Sequence, residues 1–135
     1  IPFLGWAMQM GGHGFVDRRN HEKAMSSLKK AKESLIKRPR SILLFPEGSR
    51  TDSGQLKQFK SGGLSIAIET SIPVVPVAIC GAFESLKKGS WDFRNQMLVI
   101  KLGKPIYTKE YTNHDRKIFA NLVHDRVQEL KNENL

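Results

Sequence analysis

The sequence has little of what builds cross-links, metal centres or membrane spans. Cys80 is the only cysteine in 135 residues. An internal disulfide framework is therefore excluded, and a reducing compartment is favoured. No apolar run approaches the roughly 18 residues of a transmembrane helix, and no signal-peptide pattern is visible. The motifs CxxC, HExxH and the P-loop are also missing, so disulfide exchange, zinc peptidase and P-loop chemistry have no sequence support.

Acidic residues are outnumbered, with 13 Asp and Glu against 22 Lys and Arg, and the formal net charge is +9. This charge predicts an anionic partner: nucleic acid, a phosphorylated metabolite or an anionic membrane face. The basic residues lack the aromatic interleaving of single-strand binders, and no recognition-helix motif stands out. We therefore expect no nucleic-acid partner.

The length and composition are those of one globular domain. Hydrophobic residues make up 39% and charged residues 26% of the chain, which favours a packed core over disorder. We expect a single domain over residues 1–135. Because the sequence starts at Ile1 rather than at methionine, and starts abruptly with the apolar stretch IPFLGWAMQMGG, we expect this domain to be incomplete at its N-terminus.

Strand and helix patterns alternate along the chain. Helices are predicted over residues 2–10, from a cap at Asn20 to Pro39, over 62–70 and over 112–130. The predicted inward-facing residues of the last two are Leu64, Ile66, Ala67 and Ile68, and Ile118, Phe119, Leu122, Val123, Val127 and Leu130. Strands are predicted over residues 14–17, 41–45, 73–79 and 96–102, with 41–45 buried. This alternation predicts an α/β fold with a mostly parallel or mixed sheet flanked by helices.

The loop after the predicted 41–45 strand carries residues suited to an anion, since α/β sheets bind ligands beyond the carboxyl ends of their strands. Arg50 offers a planar fork of donors that fits phosphate or carboxylate. Gly48 permits close approach by a ligand, and Glu47 is placed to orient the arginine or to accept from a substrate hydroxyl. The alternative is a solvated turn with a local Glu47–Arg50 ion pair.

Two further cations are candidates for the same site. Arg18 follows the predicted 14–17 strand and would share an edge with Arg50 in a parallel sheet. Lys60 precedes a predicted helix, whose first amides attract anions. The alternatives are an Arg18–Asp17 surface pair and a solvated Lys60.

Other polar groups give weaker signals. His13 and Asp17 are spaced as a base and its orienting group would be, but they lie across a predicted strand start. His114-Asp115 is interpreted as a helix N-terminal turn, and Cys80 as a small buried hydrophobe. No persuasive Ser–His–Asp or Cys–His set is present.

Four short blocks stand in order at natural spacing: GHGFVDR at 12–18, FPEGSR at 45–50, FKSG at 59–62 and IPVVPV at 72–77. Together they resemble the conserved blocks of the glycerolipid acyltransferases, the family of 1-acylglycerol-3-phosphate acyltransferases. The resemblance covers roughly residues 1 to 107. Gly14 departs from it, because the family prefers a branched apolar residue there.

The resemblance implies a glycerol-3-phosphate acyltransferase-like fold. It also implies transfer of a fatty acyl group from acyl-coenzyme A or acyl carrier protein to a lysophosphatidate-type acceptor in phospholipid synthesis, with no bound cofactor and no metal. The implied acceptor-binding residues are Arg18, Glu47, Gly48, Ser49, Arg50 and Lys60. Pro73 and Pro76 are implied to shape a wall near the acyl donor.

The family's catalytic motif is H-x4-D, in which histidine deprotonates the acceptor hydroxyl and aspartate orients the imidazole. This sequence contains no H-x4-D. The residues five positions after the four histidines are Arg18, Ser26, Phe119 and Glu129. We expect the dyad upstream of Ile1, and we expect the 135-residue chain to be inactive alone.

Family members commonly carry an N-terminal anchor. The resemblance therefore implies the cytoplasmic face of a membrane, reached peripherally or through a missing N-terminal segment. The alternative function is a non-catalytic, basic module that binds phospholipid or a membrane surface, with residues 1–10 and Trp6 as the interfacial contact.

Overall fold

The computed structural model describes residues 21–133. The chain forms two compact units, Ile1–Ile42 and Leu43–Leu135. The predicted helix over 2–10, the predicted strand over 14–17 and the candidates His13, Asp17 and Arg18 lie outside the described residues, so they stay predictions. The single-domain expectation also stays a prediction.

In the first unit, helix α1 spans His21–Lys37, which confirms the helix predicted between Asn20 and Pro39. Leu35 is buried on it. Its last turn carries Lys37, whose positive charge suits the negative end of the helix dipole. The chain after the helix is held by Ser34, whose hydroxyl accepts from the Arg40 guanidinium at 2.7 Å.

The second unit packs two helices across a small sheet. Its elements are α2 (Ser61–Thr70), β1 (Val77–Cys80), α3 (Ala82–Ser85), β2 (Val99–Leu102), a 3₁₀ turn (Asn113–Asp115) and α4 (Arg116–Asn132). The buried core joins Leu64 and Ile68 of α2, Ala78 of β1, and Phe119 and Val123 of α4. The helical spacing of the buried residues that the sequence predicts for α2 and α4 is therefore confirmed at these positions.

Strands β1 and β2 pair antiparallel, with Val77 opposite Leu102 and Cys80 opposite Val99. Strand β1 begins directly after Pro76, which has no N–H to give to a ladder. The Pro76 carbonyl instead accepts from the Gly103 amide at 2.9 Å. The α/β class is confirmed; within residues 21–133 the strands pair antiparallel and no parallel pair is formed.

Three local predictions were wrong. Residues 41–45 form no strand, and Leu43 is 75% exposed, because no described strand runs beside this segment to pair with its backbone. Ile118 is exposed. Phe119, Val123 and Val127 form the buried face of α4, and Ile118, one residue before Phe119, lies about 100° around the helix from that residue. Cys80 is half-buried rather than buried.

The 3₁₀ turn (Asn113–Asp115) that leads into α4 is fixed by a capping box between Thr112 and Asp115. The Asp115 carboxylate accepts from the Thr112 amide at 2.8 Å and from the Thr112 hydroxyl at 2.7 Å. These hydrogen bonds, first of all the one from the Thr112 backbone, hold the pKa of Asp115 below its ordinary value. The interpretation of His114-Asp115 as a helix N-terminal turn is confirmed.

Candidate anion-binding site

The loop formed by residues 46–60, called the 46–60 loop, is closed at its base by main-chain hydrogen bonds. The Lys60 amide donates to the Pro46 carbonyl at 2.9 Å, and the Gly48 amide donates to the Phe45 carbonyl at 3.1 Å. The first turn of the loop therefore lies beside its last residue. Candidate residues that are ten or more positions apart in sequence are brought together in this way.

Glu47 fastens the loop rather than pairing with Arg50. Its Oε2 accepts from the Lys57 amide at 3.0 Å. Within residues 21–133 the Arg50 guanidinium makes no hydrogen bond or ion pair, and Arg50 is exposed to solvent. The local Glu47–Arg50 pair that would make this a solvated turn is thus not formed among the described residues, and the guanidinium keeps its donors for a ligand.

Lys57 is the residue that sequence reasoning missed. Its Nζ donates to the Ser49 hydroxyl at 3.2 Å and to the Arg50 carbonyl at 2.9 Å. The Lys57 ammonium group therefore links Ser49 and Arg50 to the later part of the 46–60 loop. No spacing rule marks a lysine seven or eight positions away, because the contact exists only once the loop has folded back on itself.

Gly48 and Lys60 are in close contact. The φ of Gly48 is +73°, and a Cβ at this position would lie 3.1 Å from Lys60 Cε and 3.2 Å from Lys60 Nζ. A left-handed φ strains any residue with a side chain. Glycine therefore serves two purposes here: it permits the turn, and it leaves room for the Lys60 side chain beside Gly48.

The N-terminus of α2 follows directly. Helix α2 starts at Ser61, with Lys60 as its N-cap residue; no side chain caps its first amides, and no acidic residue lies in its first turn. Its N-terminal amides and dipole therefore add positive potential beside Lys60. Gly63, in the same turn, makes room for Leu44, whose Cδ1 would lie 2.9 Å from a Cβ at that position.

Helix α4 supports the loop from behind. Lys131 Nζ donates to the Gly54 carbonyl at 2.6 Å. The buried Phe59 ring lies edge-on to the His124 ring, with 5.1 Å between their centroids. At the far side of the loop, Lys88 Nζ is 2.9 Å from Asp52 Oδ1. The hydrogen bond from Lys88 lowers the pKa of the Asp52 carboxyl.

The remaining sequence candidates are not joined to this group. Pro73 is exposed, whereas the Pro76 side chain is fully buried, so the wall near the acyl donor stays a prediction. Among residues 21–133 no group of three His, Cys, Asp or Glu side chains is arranged to hold a metal ion. In the same range no helix combines the length and apolar character needed to cross a bilayer.

The Acyltransferase family model matches residues 1–80, more than half of the chain. The chain belongs to this family. It is 32% identical to the 1-acyl-sn-glycerol-3-phosphate acyltransferase of Saccharomyces cerevisiae, with 94% of this chain and 43% of the relative aligned. It is 30% identical to the enzyme of the same name from Haemophilus influenzae, over 98% of this chain and 56% of the relative.

The fold is likewise similar to a solved acyltransferase. The crystal structure of the 1-acyl-sn-glycerophosphate (LPA) acyltransferase PlsC from Thermotoga maritima matches with a TM-score of 0.78 and 30% identity, over 100% of this chain and 54% of that chain. The resemblance read from the four sequence blocks is confirmed at the level of family and fold. The acyltransferase chain described here spans about half the length of these relatives.

Proposed function

We propose that this chain forms the acceptor-binding part of an acyltransferase that moves a fatty acyl group from a thioester to the hydroxyl of a lysophosphatidate-type acceptor. The observation that carries the proposal is the cationic face of the 46–60 loop. Arg50 has no partner within residues 21–133, and Lys60 lies against Gly48 at the N-terminus of α2. The family, and its relatives that are 1-acyl-sn-glycerol-3-phosphate acyltransferases, support the choice of reaction.

In this proposal the acceptor phosphate accepts hydrogen bonds from the Arg50 fork and the Lys60 ammonium, and the first amides of α2 add to its binding. Glu47 and Lys57 hold the loop in the shape that presents those donors. Arg18, which lies outside the described residues, is proposed as a further phosphate contact.

The chemical step is direct transfer. The acceptor hydroxyl oxygen attacks the thioester carbonyl, a C–O bond forms and the C–S bond breaks. The acyl carrier leaves as its thiol, whose proton balances the one that the acceptor hydroxyl loses. Binding the phosphate fixes the acceptor hydroxyl with respect to the thioester, which is an entropic contribution to rate. The printed sequence contains no H-x4-D, so none of its residues is assigned the proton-abstracting role.

Calorimetric titration of the 135-residue chain tests the proposal. The ligands are a water-soluble, short-chain lysophosphatidate and the monoacylglycerol of the same chain length, which lacks the phosphate. We expect binding of the first only, weakened about tenfold or more by Arg50→Gln and by Lys60→Met, since a hydrogen bond to a charged group contributes roughly 1.5–3 kcal/mol.

Arg126→Gln and Lys109→Met are the matched controls, because both residues are exposed and lie outside the 46–60 loop. These variants should bind as the unchanged chain does. Equal affinity for the two ligands, or equal weakening by the loop variants and the controls, would refute the proposed site. Binding to vesicles without phosphate-dependent binding of the soluble acceptor would instead favour the non-catalytic phospholipid-binding module.

A further inference from the structure

The segment formed by residues 86–98, called the 86–98 loop, presents large apolar side chains to solvent. Trp91 is 97% exposed, Met97 is 77% exposed and Phe93 is 72% exposed. Tryptophan is usually well buried in folded proteins. Exposing three large apolar side chains to water within seven residues is unfavourable. A role in binding is the physical reason to look for.

The loop is held by its own main chain, so the exposure is not that of a loose strand of chain. The Arg94 amide donates to the Ser85 carbonyl at 2.8 Å, and the Ser90 amide donates to the Lys87 carbonyl at 3.1 Å. On the other side the Met97 carbonyl oxygen lies close against Gly81, since a Cβ at that glycine would clash with it. The apolar side chains are therefore presented from a fixed backbone.

The charges of the loop favour an anionic lipid surface as the occupant. Residues 86–98 contain Lys87, Lys88 and Arg94 and the single acid Asp92, and the whole chain carries +9. Arg94 Nε pairs with Asp92 at 3.3 Å and Lys88 pairs with Asp52, and all of these side chains are on the surface. Lys87 Nζ lies 5.8 Å from the centroid of the Phe83 ring in α3, the helix that precedes the loop. A tryptophan and a phenylalanine flanked by basic residues match a bilayer interface, where rings enter the headgroup region and cations contact lipid phosphates.

The 86–98 loop and the helix before it contact the 46–60 loop at Asp52 and Gly54. Lys88 Nζ bonds Asp52 at 2.9 Å, and a Cβ at Gly54 would lie 3.0 Å from Phe83 Cδ1. Both contacts join the 46–60 loop to the elements that carry Trp91. An acceptor lipid whose apolar tail stays in the membrane would then have its phosphate next to the 46–60 loop; this part of the argument rests on the proposed function.

We propose that the 86–98 loop is a membrane-contacting element that inserts Trp91 and Phe93 into the interface of an anionic bilayer beside the acceptor site. Its residues are not those of the interfacial contact expected from the sequence at residues 1–10. A protein partner or a second copy of the chain would have to meet the same residues, but the basic flanks complement lipid phosphates directly.

Tryptophan fluorescence of the full 135-residue chain tests the proposal. In the Trp6→Phe variant, Trp91 is the only tryptophan. Vesicles of phosphatidylcholine mixed with phosphatidylglycerol should shift its emission to the blue, and lipids with brominated acyl chains should quench it. Trp91→Ser combined with Phe93→Ser should weaken vesicle binding roughly a hundredfold, at about tenfold for each apolar side chain.

Ile118→Ser combined with Tyr107→Ser is the matched control, because both residues are exposed and lie outside the 86–98 loop; this variant should bind vesicles normally. Lys87→Gln and Arg94→Gln should each weaken binding about fivefold on anionic vesicles and leave phosphatidylcholine vesicles unaffected. Circular dichroism confirms that each variant is folded.

Trp91 emission that is unchanged and unquenched at lipid concentrations that sediment the chain would overturn the proposal. So would concentration-dependent dimerisation that Trp91→Ser abolishes, in the absence of vesicle binding, since the loop would then be a self-association surface. Affinity for the water-soluble acceptor should not change in the Trp91→Ser, Phe93→Ser variant. Failure of membrane contact is thereby distinguished from failure of the proposed phosphate site.

Discussion

Replacing Gly48 by alanine separates two effects that the structure places at one residue. The φ of +73° imposes a backbone penalty of roughly 1–2 kcal/mol on a residue with a Cβ, partly offset by the lower conformational entropy of the unfolded chain. The new methyl group would also lie 3.1–3.3 Å from three atoms of the Lys60 side chain, Cδ, Cε and Nζ. The end of the Lys60 side chain must therefore shift from its position by a few tenths of an ångström.

Gly89 supplies the matched control. Its φ is +81°, and a Cβ there would meet nothing within 4 Å. Gly89→Ala should thus show the backbone penalty alone, whereas Gly48→Ala should show the penalty and the displacement of Lys60. We expect both variants to lose about 1 kcal/mol of unfolding free energy. Only Gly48→Ala should lose affinity for the phosphate-bearing acceptor, by about tenfold.

Chemical unfolding followed by circular dichroism measures the first quantity, and calorimetry with the soluble acceptor measures the second. If Gly48→Ala binds as tightly as Gly89→Ala, the Lys60 ammonium is not needed where the structure places it, and the reasoning is refuted.

Two further predictions concern the supports of the loop and of α4. Lys57→Met removes the ammonium that bridges Ser49 and Arg50, and the acceptor affinity measured by calorimetry should fall about fivefold. Lys109→Met is the control, and Lys57→Arg should restore part of the lost affinity. Unchanged affinity in Lys57→Met would argue against a positioning role for Lys57. Asp115 has a lowered pKa, so its contribution to stability is complete above the ordinary aspartate value and is lost as pH falls through the lowered one. Asp115→Asn removes that dependence, so its denaturant midpoint should change less than that of the unchanged chain between about pH 5 and about pH 2; parallel pH profiles would contradict the capping role.

The two long elements of the core could be read from the sequence because their buried residues recur at helical spacing. Leu64 and Ile68 of α2 are four apart, as are Phe119, Val123 and Val127 of α4. The apolar run at residues 41–45 failed as a guide, since a short apolar run states a preference for burial and does not supply a neighbouring strand.

The candidate site was predictable in part. Arg50, Lys60 and Gly48 were identified from donor geometry, helix-start position and backbone freedom, and the structure brings Lys60 onto Gly48. The sequence does not predict the hydrogen bond from the Lys57 ammonium to the Arg50 carbonyl, nor the hydrogen bond from the Lys57 amide to the Glu47 carboxylate. Both depend on how the loop closes, which is set by the contact of Lys60 with Pro46 and of Lys131 with Gly54.

Amide chemical-shift mapping by NMR tests the central claim most directly, because it shows where the phosphate of the acceptor binds. The isotopically labelled chain is titrated with the short-chain lysophosphatidate and, separately, with the monoacylglycerol of equal chain length. Binding at the proposed site predicts phosphate-dependent shifts at residues 47–50, at Lys57 and at residues 60–63. Phosphate-dependent shifts confined to the basic depression lined by Asn113, His114, Arg116 and Lys117 would contradict it.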